Sequence, residues 1–391
     1  MRDVWIRGAA MTKFGLHPDR TARDLVEEAV AGALRDAGAE PADVQAAFVG
    51  NAAAGLVTGQ ESIRGQVVLR RTGLMGVPIV NVENADASSA TALHLAWQAV
   101  AGGIRDCVVV LGYEKIDHRD RGRSYRALNA TMDLTELSDV FGPRAGQERN
   151  VLLDLSGATS SGDGTYRFDR DLLAEVAVKN RHHGSLNPCA HLQTPITTEQ
   201  VLGSRIVAGP LTRLMCAEFV DGAACLVLCS ADHRRSRHGG VRIVASVLAS
   251  GRGDDLRRLP SAVPAVREAY ELAAAGPEDL DVVEVTDATS VVEMYVYERL
   301  ALCPPEDVGR LVRERTTWLG GRVPVNPSGG MIARGHPMGA TGAAQIVELA
   351  WQLEDRCGAR QVPGARLGLA YSVGGWVGSD VGACCVHVLQ R

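Results

Sequence analysis

Asn326-Pro327-Ser328-Gly329-Gly330-Met331-Ile332-Ala333-Arg334-Gly335-His336-Pro337-Met338-Gly339-Ala340-Thr341-Gly342 is the most informative stretch of this chain. Its five glycines and two prolines fix an unusual loop, and one imidazole is held in it just before a helical pattern. A histidine bracketed this way is a candidate general base or hydrogen-bond donor at neutral pH. A structural loop with an incidental His336 is the alternative. Downstream, Leu349-Ala350-Trp351-Gln352 sits in an Ala-rich helix that feeds the strand Leu367-Gly368-Leu369. The same four residues recur as Leu95-Ala96-Trp97-Gln98, in an Ala-rich helix after a loop containing Asn84, and that helix feeds Val108-Val109-Val110.

The repeat extends to the start of the chain. Val4-Trp5-Ile6-Arg7-Gly8 reads as a strand, and Leu25, Val26, Ala29, Val30, Ala33 and Leu34 mark one face of a helix. Gly38 stops it, and a turn over 38–44 leads to a strand over 46–49. The order returns 236–237 residues later: a strand over 241–245, a helix over 261–274, a turn over 276–280 and a strand over 282–285. The chain therefore divides into two similar α/β halves, 1–240 and 241–391, whose apolar strands predict sheets covered on both faces. Chance similarity among Ala-rich α/β units is the competing explanation. Residues 114–222 interrupt the first half. Within them 155–163 reads as a mobile loop, 171–183 as a helix and Leu186-Asn187-Pro188 as a turn. An insertion over a rigid scaffold is a usual place for substrate contacts.

Composition sets the bounds. The 391 residues carry 41 basic and 46 acidic side chains, a net charge of −5. No basic excess exists to neutralise phosphates, so no nucleic-acid partner is expected. The 43 glycines are about 11% of the chain against a usual ~7%. With aromatics at 4%, this points to tight turns and close backbones, with cores filled by Ala and Val. The uncharged run 87–104 contains Ser, Thr, His, Gln and two glycines, so it reads as a buried helix and not a membrane span. No signal peptide is visible at the N-terminus. The nine cysteines are scattered with no CxxC pair, indicating neither a zinc ribbon nor a disulfide frame; a cytoplasmic protein with reduced thiols and no metal is the expectation.

The 326–342 loop closely resembles the histidine loop of thiolases, especially the sterol-carrier-protein-like (lipid-transfer-protein-like) branch. Val82-Glu83-Asn84-Ala85-Asp86-Ala87-Ser88-Ser89 resembles the loop that carries their nucleophilic cysteine. Lys179-Asn180-Arg181-His182-His183 through Asn187-Pro188 resembles their lid motif, and Leu211–Cys216 with Asp221-Gly222-Ala223-Ala224 resembles a further family segment. The resemblance implies the thiolase fold: duplicated βαβαβαββ halves in a five-layered αβαβα arrangement with a lid insertion. It also implies a homodimer, a coenzyme A thioester as substrate, and no covalently bound cofactor.

The departures bear on chemistry. Where the family has its cysteine, this chain has Asp86. Where the branch has His-Asp-Cys-Phe, it reads Thr286-Asp287-Ala288-Thr289, and the usual Cys-x-Gly reads Ser372-Val373-Gly374. Of the usual catalytic side chains His336 remains. A carboxylate is a weak nucleophile, so covalent catalysis at Asp86 is disfavoured; a helix N-cap and an acid/base role stay open. Ser372, with Thr286, is a further catalytic candidate; a simple strand-end threonine is the preferred reading of Thr286. By the resemblance the amides of residue 86 and Gly374 face a thioester oxygen. Asn326 and Tyr371 are candidate substrate contacts, though a buried tyrosine is more often packing. His182 and His183 read as a solvated helix end, and Cys216 and Cys225 as small buried apolar residues.

Two functions follow as expectations. One is a divergent enzyme that makes or breaks a C–C bond, or transfers an acyl group, on an acyl-CoA or carrier-bound thioester without a cysteine acyl-enzyme. The other is a non-catalytic subunit or acyl-CoA binder that pairs with a second thiolase-like chain or a small OB-fold, zinc-ribbon protein.

Overall fold

The computed structural model describes residues 1–116, 120–136, 153, 167–233, 239–252, 262–378 and 380–391. The strands are β1 (Val4–Met11), β2 (Ala47–Gly50), β3 (Ile79–Val82), β4 (Cys107–Glu114), β5 (Ile206–Ala208), β6 (Leu211–Thr212), β7 (Gly222–Ser230), β8 (Val241–Ser250), β9 (Val282–Val285), β10 (Leu367–Val377) and β11 (Asp380–Gln390). Nine of these pair in the order β3-β2-β4-β7-β1-β8-β11-β10-β9, while β5 and β6 form a separate ribbon.

That order is one pattern used twice. In the first set β3, β2 and β4 are parallel neighbours, and β7 then joins β4 and β1 antiparallel. In the second, β9 and β10 are parallel, and β11 joins β10 and β8 antiparallel. A parallel bridge from Val283 to Val325 stands where β3 stands in the first set. The sets meet at Trp5–Arg242 and Ile6–Val241. Strand β1 is longer than the sequence implies. Gly8 sits at a register shift in the β1–β7 ladder and bulges it without ending it.

Helices complete the layers. The Ala22–Ala37 helix covers the outer face of the first set, with Thr21 in a capping box and Gly38 at φ 62 closing its C-terminus. The Ala262–Ala273 and Ser290–Arg299 helices pack on the outer face of the second set. The Ser88–Ala101 and Thr341–Leu353 helices fill the middle, and their residues share one core with both sets of strands. These two helices touch almost backbone to backbone. A Cβ on Gly342 would lie 2.7 Å from Ala90 Cβ, and Ser89 Oγ accepts the Ala343 N–H at 2.8 Å. Small residues are required there, which accounts for the Ala- and Gly-rich composition. The crossing sets the N-terminal ends of both helices side by side.

Two features of the insertion are seen. The Arg170–Ser185 helix occurs as expected, followed by the turn at 186–188. The 155–163 stretch lies outside the described residues. Among the described residues no helix is long and apolar enough to cross a membrane.

Candidate active site

The side-by-side helix ends bring together two residues that are 250 positions apart. Asp86 Oδ1 lies 3.1 Å from His336 Nε2. The His336 side chain is 3% exposed and that of Asp86 17%. Oδ1 itself is buried and accepts no hydrogen bond of regular geometry, so the histidine contact is close but off-axis. The exposed part of Asp86 lies on its other atoms.

The N-cap reading of Asp86 is corrected here. Ala87 occupies the cap position of the Ser88–Ala101 helix, with φ −84 and ψ 4, and no side-chain cap bond is made. The turn is instead closed from within: Ser88 Oγ donates to Ala85 O at 2.6 Å and accepts the Asn84 N–H at 3.0 Å. Ala85 sits at φ 48. The serine does the capping work, so the carboxylate is released to face the imidazole.

His336 is fixed from several sides. Its N–H donates to Glu218 O at 2.8 Å, and the Phe219 ring lies 5.0 Å from the imidazole. Its Nδ1 is 3.0 Å from Thr341 Oγ1. A carboxylate opposite Nε2 favours a proton on that nitrogen, which makes Nδ1 the acceptor of the threonine hydroxyl. Behind the loop, Glu114 at the end of β4 is fully buried. It takes N–H groups from Ala52, Ala53 and Gly339 and the Asn51 side-chain amide. Burial nevertheless pushes its pKa up to about 7. This residue joins the histidine loop to the 51–53 turn. Nothing in the sequence pointed to it except a carboxylate ending an apolar strand.

The remaining candidates fall into two groups. Gly374 borders the site: a Cβ there would lie 2.1 Å from Asn84 O and 2.6 Å from Ala87 N, so the β10 backbone presses on the Asp86 loop. Ser372 is buried and donates to Gln345 Oε1 at 2.5 Å, on the side of the Thr341–Leu353 helix. Gln345 was missed, although a glutamine in the run Ala344-Gln345-Ile346-Val347 is the kind of polar residue that has to find a partner.

The second group is structural in its contacts. Tyr371 belongs to the outer core with Val285, Val291 and Val386, on the face of β10 away from Gln345. Its hydroxyl sits near Arg299, and burial raises its pKa. It therefore does not point toward the Asp86–His336 pair. Thr286 ties β9 to β10, donating to Tyr371 O at 3.4 Å and accepting the Val373 N–H at 3.2 Å. Asn326, at φ 54, accepts the Val285 N–H at 2.8 Å and donates to Glu293 at 3.1 Å. Glu293 also binds Lys179 and Asn180, so the lid motif docks on β9 through a buried polar network.

His183 belongs to the same network and corrects the reading of a solvated helix end. His182 is exposed, but His183 is buried, with Nε2 accepting the Leu319 N–H at 3.0 Å and Nδ1 facing Asn326 O at 3.0 Å. Burial, with Lys179 beside it, pushes its pKa down to about 3 from 6.5. The unfolded chain binds a proton there below pH 6.5 and the native chain does not. The stability from neutral His183 is thus complete above about pH 6.5 and is lost toward pH 3, by up to ~1.4 kcal/mol per pH unit. His183→Gln should show a smaller drop in urea midpoint between pH 7 and pH 5 than the parent. An equal drop would place the acid sensitivity elsewhere.

A cavity of about 440 Å³ opens beside these loops, lined by Val49, Leu56, Ile63, Val82, Ala127 and Met338. Glu83 and Arg64 stand at it as well. The Arg64 guanidinium is engaged by Asn51 O, Ala52 O and Glu61. The nine cysteines are not at the Asp86–His336 pair: Cys385, the one packed near the start of the Ser88–Ala101 helix, has its thiol pushed up to about 12 by burial.

Comparison with known proteins agrees with this fold. Residues 4–232 match the model of the thiolase N-terminal domain, and residues 247–390 match the thiolase C-terminal domain-like model. The chain belongs to the thiolase family. It is 37% identical to an acetyl-CoA acetyltransferase of Methanothermobacter thermautotrophicus, over 100% of both chains. It is 33% identical to rat sterol carrier protein 2, covering 99% of this chain and 72% of that one. It is 34% identical to the benzoylsuccinyl-CoA thiolase subunit BbsB of Thauera aromatica, covering 96% and 95%. Among solved structures it shares the fold of the Ltp2-ChsH2(DUF35) aldolase, with a TM-score of 0.82 at 22% identity over 100% and 98% of the two chains. In this thiolase-family chain the two helix-end loops, 83–87 and 336–341, form the candidate site.

Proposed function

We propose that this chain acts on a thioester of coenzyme A or of an acyl carrier, making or breaking a C–C bond by acid/base chemistry without an acyl-enzyme. The observation that carries the reading is the Asp86–His336 pair itself, at 3.1 Å where the two central helices meet. A carboxylate stands where the family's nucleophilic cysteine is expected, and the described cysteines lie elsewhere with raised thiol pKa values at Cys216, Cys225 and Cys385. Such a pair moves protons and does not hold acyl groups. The relatives' names supply the substrate class, because acetyl-CoA and benzoylsuccinyl-CoA are both thioesters.

The retro-aldol direction illustrates the chemistry. Asp86, oriented by His336, takes the proton of a 3-hydroxyl group. The O–H electron pair becomes the second bond of a carbonyl, and the bond between C2 and C3 breaks. Its electron pair moves into the thioester as an enolate, which a nearby acid then protonates at C2. The amides of Asp86 and Gly374 are the proposed donors to the enolate oxygen. The cavity beside Met338, lined by both apolar and polar side chains, takes the non-thioester end of the substrate. Ser372, held by Gln345, orients the β10 end of the site.

The test is incubation with a panel of 3-hydroxyacyl-CoA and 3-ketoacyl-CoA compounds, with products and intact protein followed by mass spectrometry. Cleavage to a carbonyl product and a shorter acyl-CoA, with no acyl adduct on the protein, is the expected result. Thiolysis of acetoacetyl-CoA near the usual enzyme median of ~10 s⁻¹ would contradict it. A second reading, a non-catalytic subunit or acyl-CoA binder beside a second thiolase-like chain or a small OB-fold protein, is favoured by one observation: the relative BbsB is itself named a subunit. Turnover that appears only on adding such a partner supports that reading.

A homodimer is also proposed. β3 ends the strand order, and exposed apolar residues cluster around it: Leu56, Ile63, Met75 and Val80 are 39–60% exposed. An uncovered apolar edge strand is a pairing template. Sedimentation at micromolar concentration should give twice the chain mass, and Val80→Lys should shift it toward monomer. A monomeric parent would remove the proposal.

A further inference from the structure

We propose that Cys107, Cys229 and His233 form a binding site for a thiophilic d10 cation, with Zn²⁺ the expected occupant. The site lies at the far end of β4 from Glu114 and from the candidate active site. Cys107 is the first residue of β4, and Cys229 is its direct partner near the end of β7. Both are fully buried, and the Cys229 thiol approaches Cys107 Sγ at 3.6 Å. His233 stands in the turn that follows β7, with its N–H donated to Ser230 O at 3.1 Å.

Three observations converge on a metal. A ring nitrogen of His233 and the two sulfurs all lie within 4.8 Å of one another. The sulfur separation matches a coordination edge: two Zn–S bonds of ~2.3 Å at a tetrahedral angle put the sulfurs about 3.8 Å apart. A disulfide would need them at about 2.05 Å. Finally, among the described residues His233 Nε2 is buried and has no hydrogen-bond partner, which is costly for an imidazole unless something satisfies it. Imidazole and thiolate together select zinc or copper(I) over magnesium or calcium.

His233 also lines a cavity of about 420 Å³ with Asp43, Asp106, Ser230 and Asp232, so the proposed site is approached from its histidine side. Asp106 is itself paired with Arg2 at 2.8 Å. Binding converts two thiols to thiolates. Two S–H bonds break, two metal–sulfur bonds form, and both protons leave to solvent, so net charge is unchanged.

The test uses the full-length protein, reduced and freed of metal by a chelator. Zn²⁺ is titrated against a chromophoric indicator, and Co²⁺ is added in parallel to read tetrahedral d–d absorption and the thiolate charge-transfer band. One Zn²⁺ per chain is expected, with a thiolate band from Co²⁺. The Cys107→Ser, Cys229→Ser double variant should lose both signals. His233→Gln sits in a turn outside the buried ladder, so it keeps the fold testable. It should weaken Zn²⁺ by more than the 10–100-fold that loss of an outer-shell partner costs. Absence of stoichiometric Zn²⁺ binding, binding unchanged in both variants, or loss of both thiols to a disulfide under the same conditions would each overturn the site.

Discussion

Asp86→Asn should leave the protein folded and cut turnover by about a hundredfold or more. The fold survives because Asp86 makes no cap bond; the loop is closed by Ser88 and Ala85. The Asn side-chain oxygen can still face His336 Nε2, so the contact is retained while the charge and the base are lost. His336→Ala should produce a similar fall, because it removes the group that orients and polarises the carboxylate. The double variant should be little worse than either single one, since residues acting as one unit are strongly non-additive. The measurement is kcat and KM for the best 3-hydroxyacyl-CoA with each variant, beside circular dichroism to confirm folding. Full activity in Asp86→Asn would leave the carboxylate with no chemical role. Full activity in both single variants would remove the case for this site.

Arg334→Met should destabilise the fold by about 3–5 kcal/mol at neutral pH, the largest stability effect expected here. Arg334 and Glu284 are both fully buried, with Nη1 3.2 Å from Oε2, and Ser328 adds two hydrogen bonds to the same carboxylate. This pair locks the histidine loop onto β9. Burial pushes the Glu284 pKa up to about 7, and the guanidinium opposes that rise. Without Arg334 the carboxyl moves further up and folds as the neutral acid. A carboxyl whose folded pKa lies above its unfolded value stabilises below the unfolded value and loses that contribution as pH rises. The deficit in Arg334→Met should therefore grow between pH 6 and pH 9, by up to ~1.4 kcal/mol per unit. Glu284→Gln on top of Arg334→Met should recover part of the loss and flatten the pH dependence. Urea unfolding of the parent and the two variants across that range is the check. A deficit below ~1 kcal/mol, or one independent of pH, would show that the pair does not hold the loop.

The fold was legible in the sequence because its signals are local or repeated. The helix face from Leu25 to Leu34, the stop at Gly38 and the two Leu-Ala-Trp-Gln helices each follow from periodicity and turn chemistry within a few residues. The recurrence of the strand–helix–turn–strand order 236–237 positions on, and of Leu-Ala-Trp-Gln 254 positions on, marked the duplication. Strand ends were less legible: Gly8 looked like a terminus, but a bulge in a paired ladder lets β1 continue to Met11. Likewise the sequence marked Asp86 and His336 as candidates and left the role of Asp86 open between a helix cap and acid/base chemistry.

Tertiary structure decided that question, because a cap is a bond to the residue's own helix and the pair is a contact between two halves of the chain. The Gly342–Ala90 crossing brings the helix ends together, and no periodicity in either segment encodes that meeting. Buried polar groups behave alike. His183, Glu114 and Gln345 take their partners from segments far away in sequence, so composition alone made His183 look solvated and gave no signal for Glu114. The thiols of Cys107 and Cys229 are 122 residues apart and looked scattered. They face each other because β4 and β7 pair in one register. Local sequence determined which elements form and where they stop; long-range packing determined which side chains meet, since only there is the cost of burying a charge or an unpaired polar atom offset by a partner.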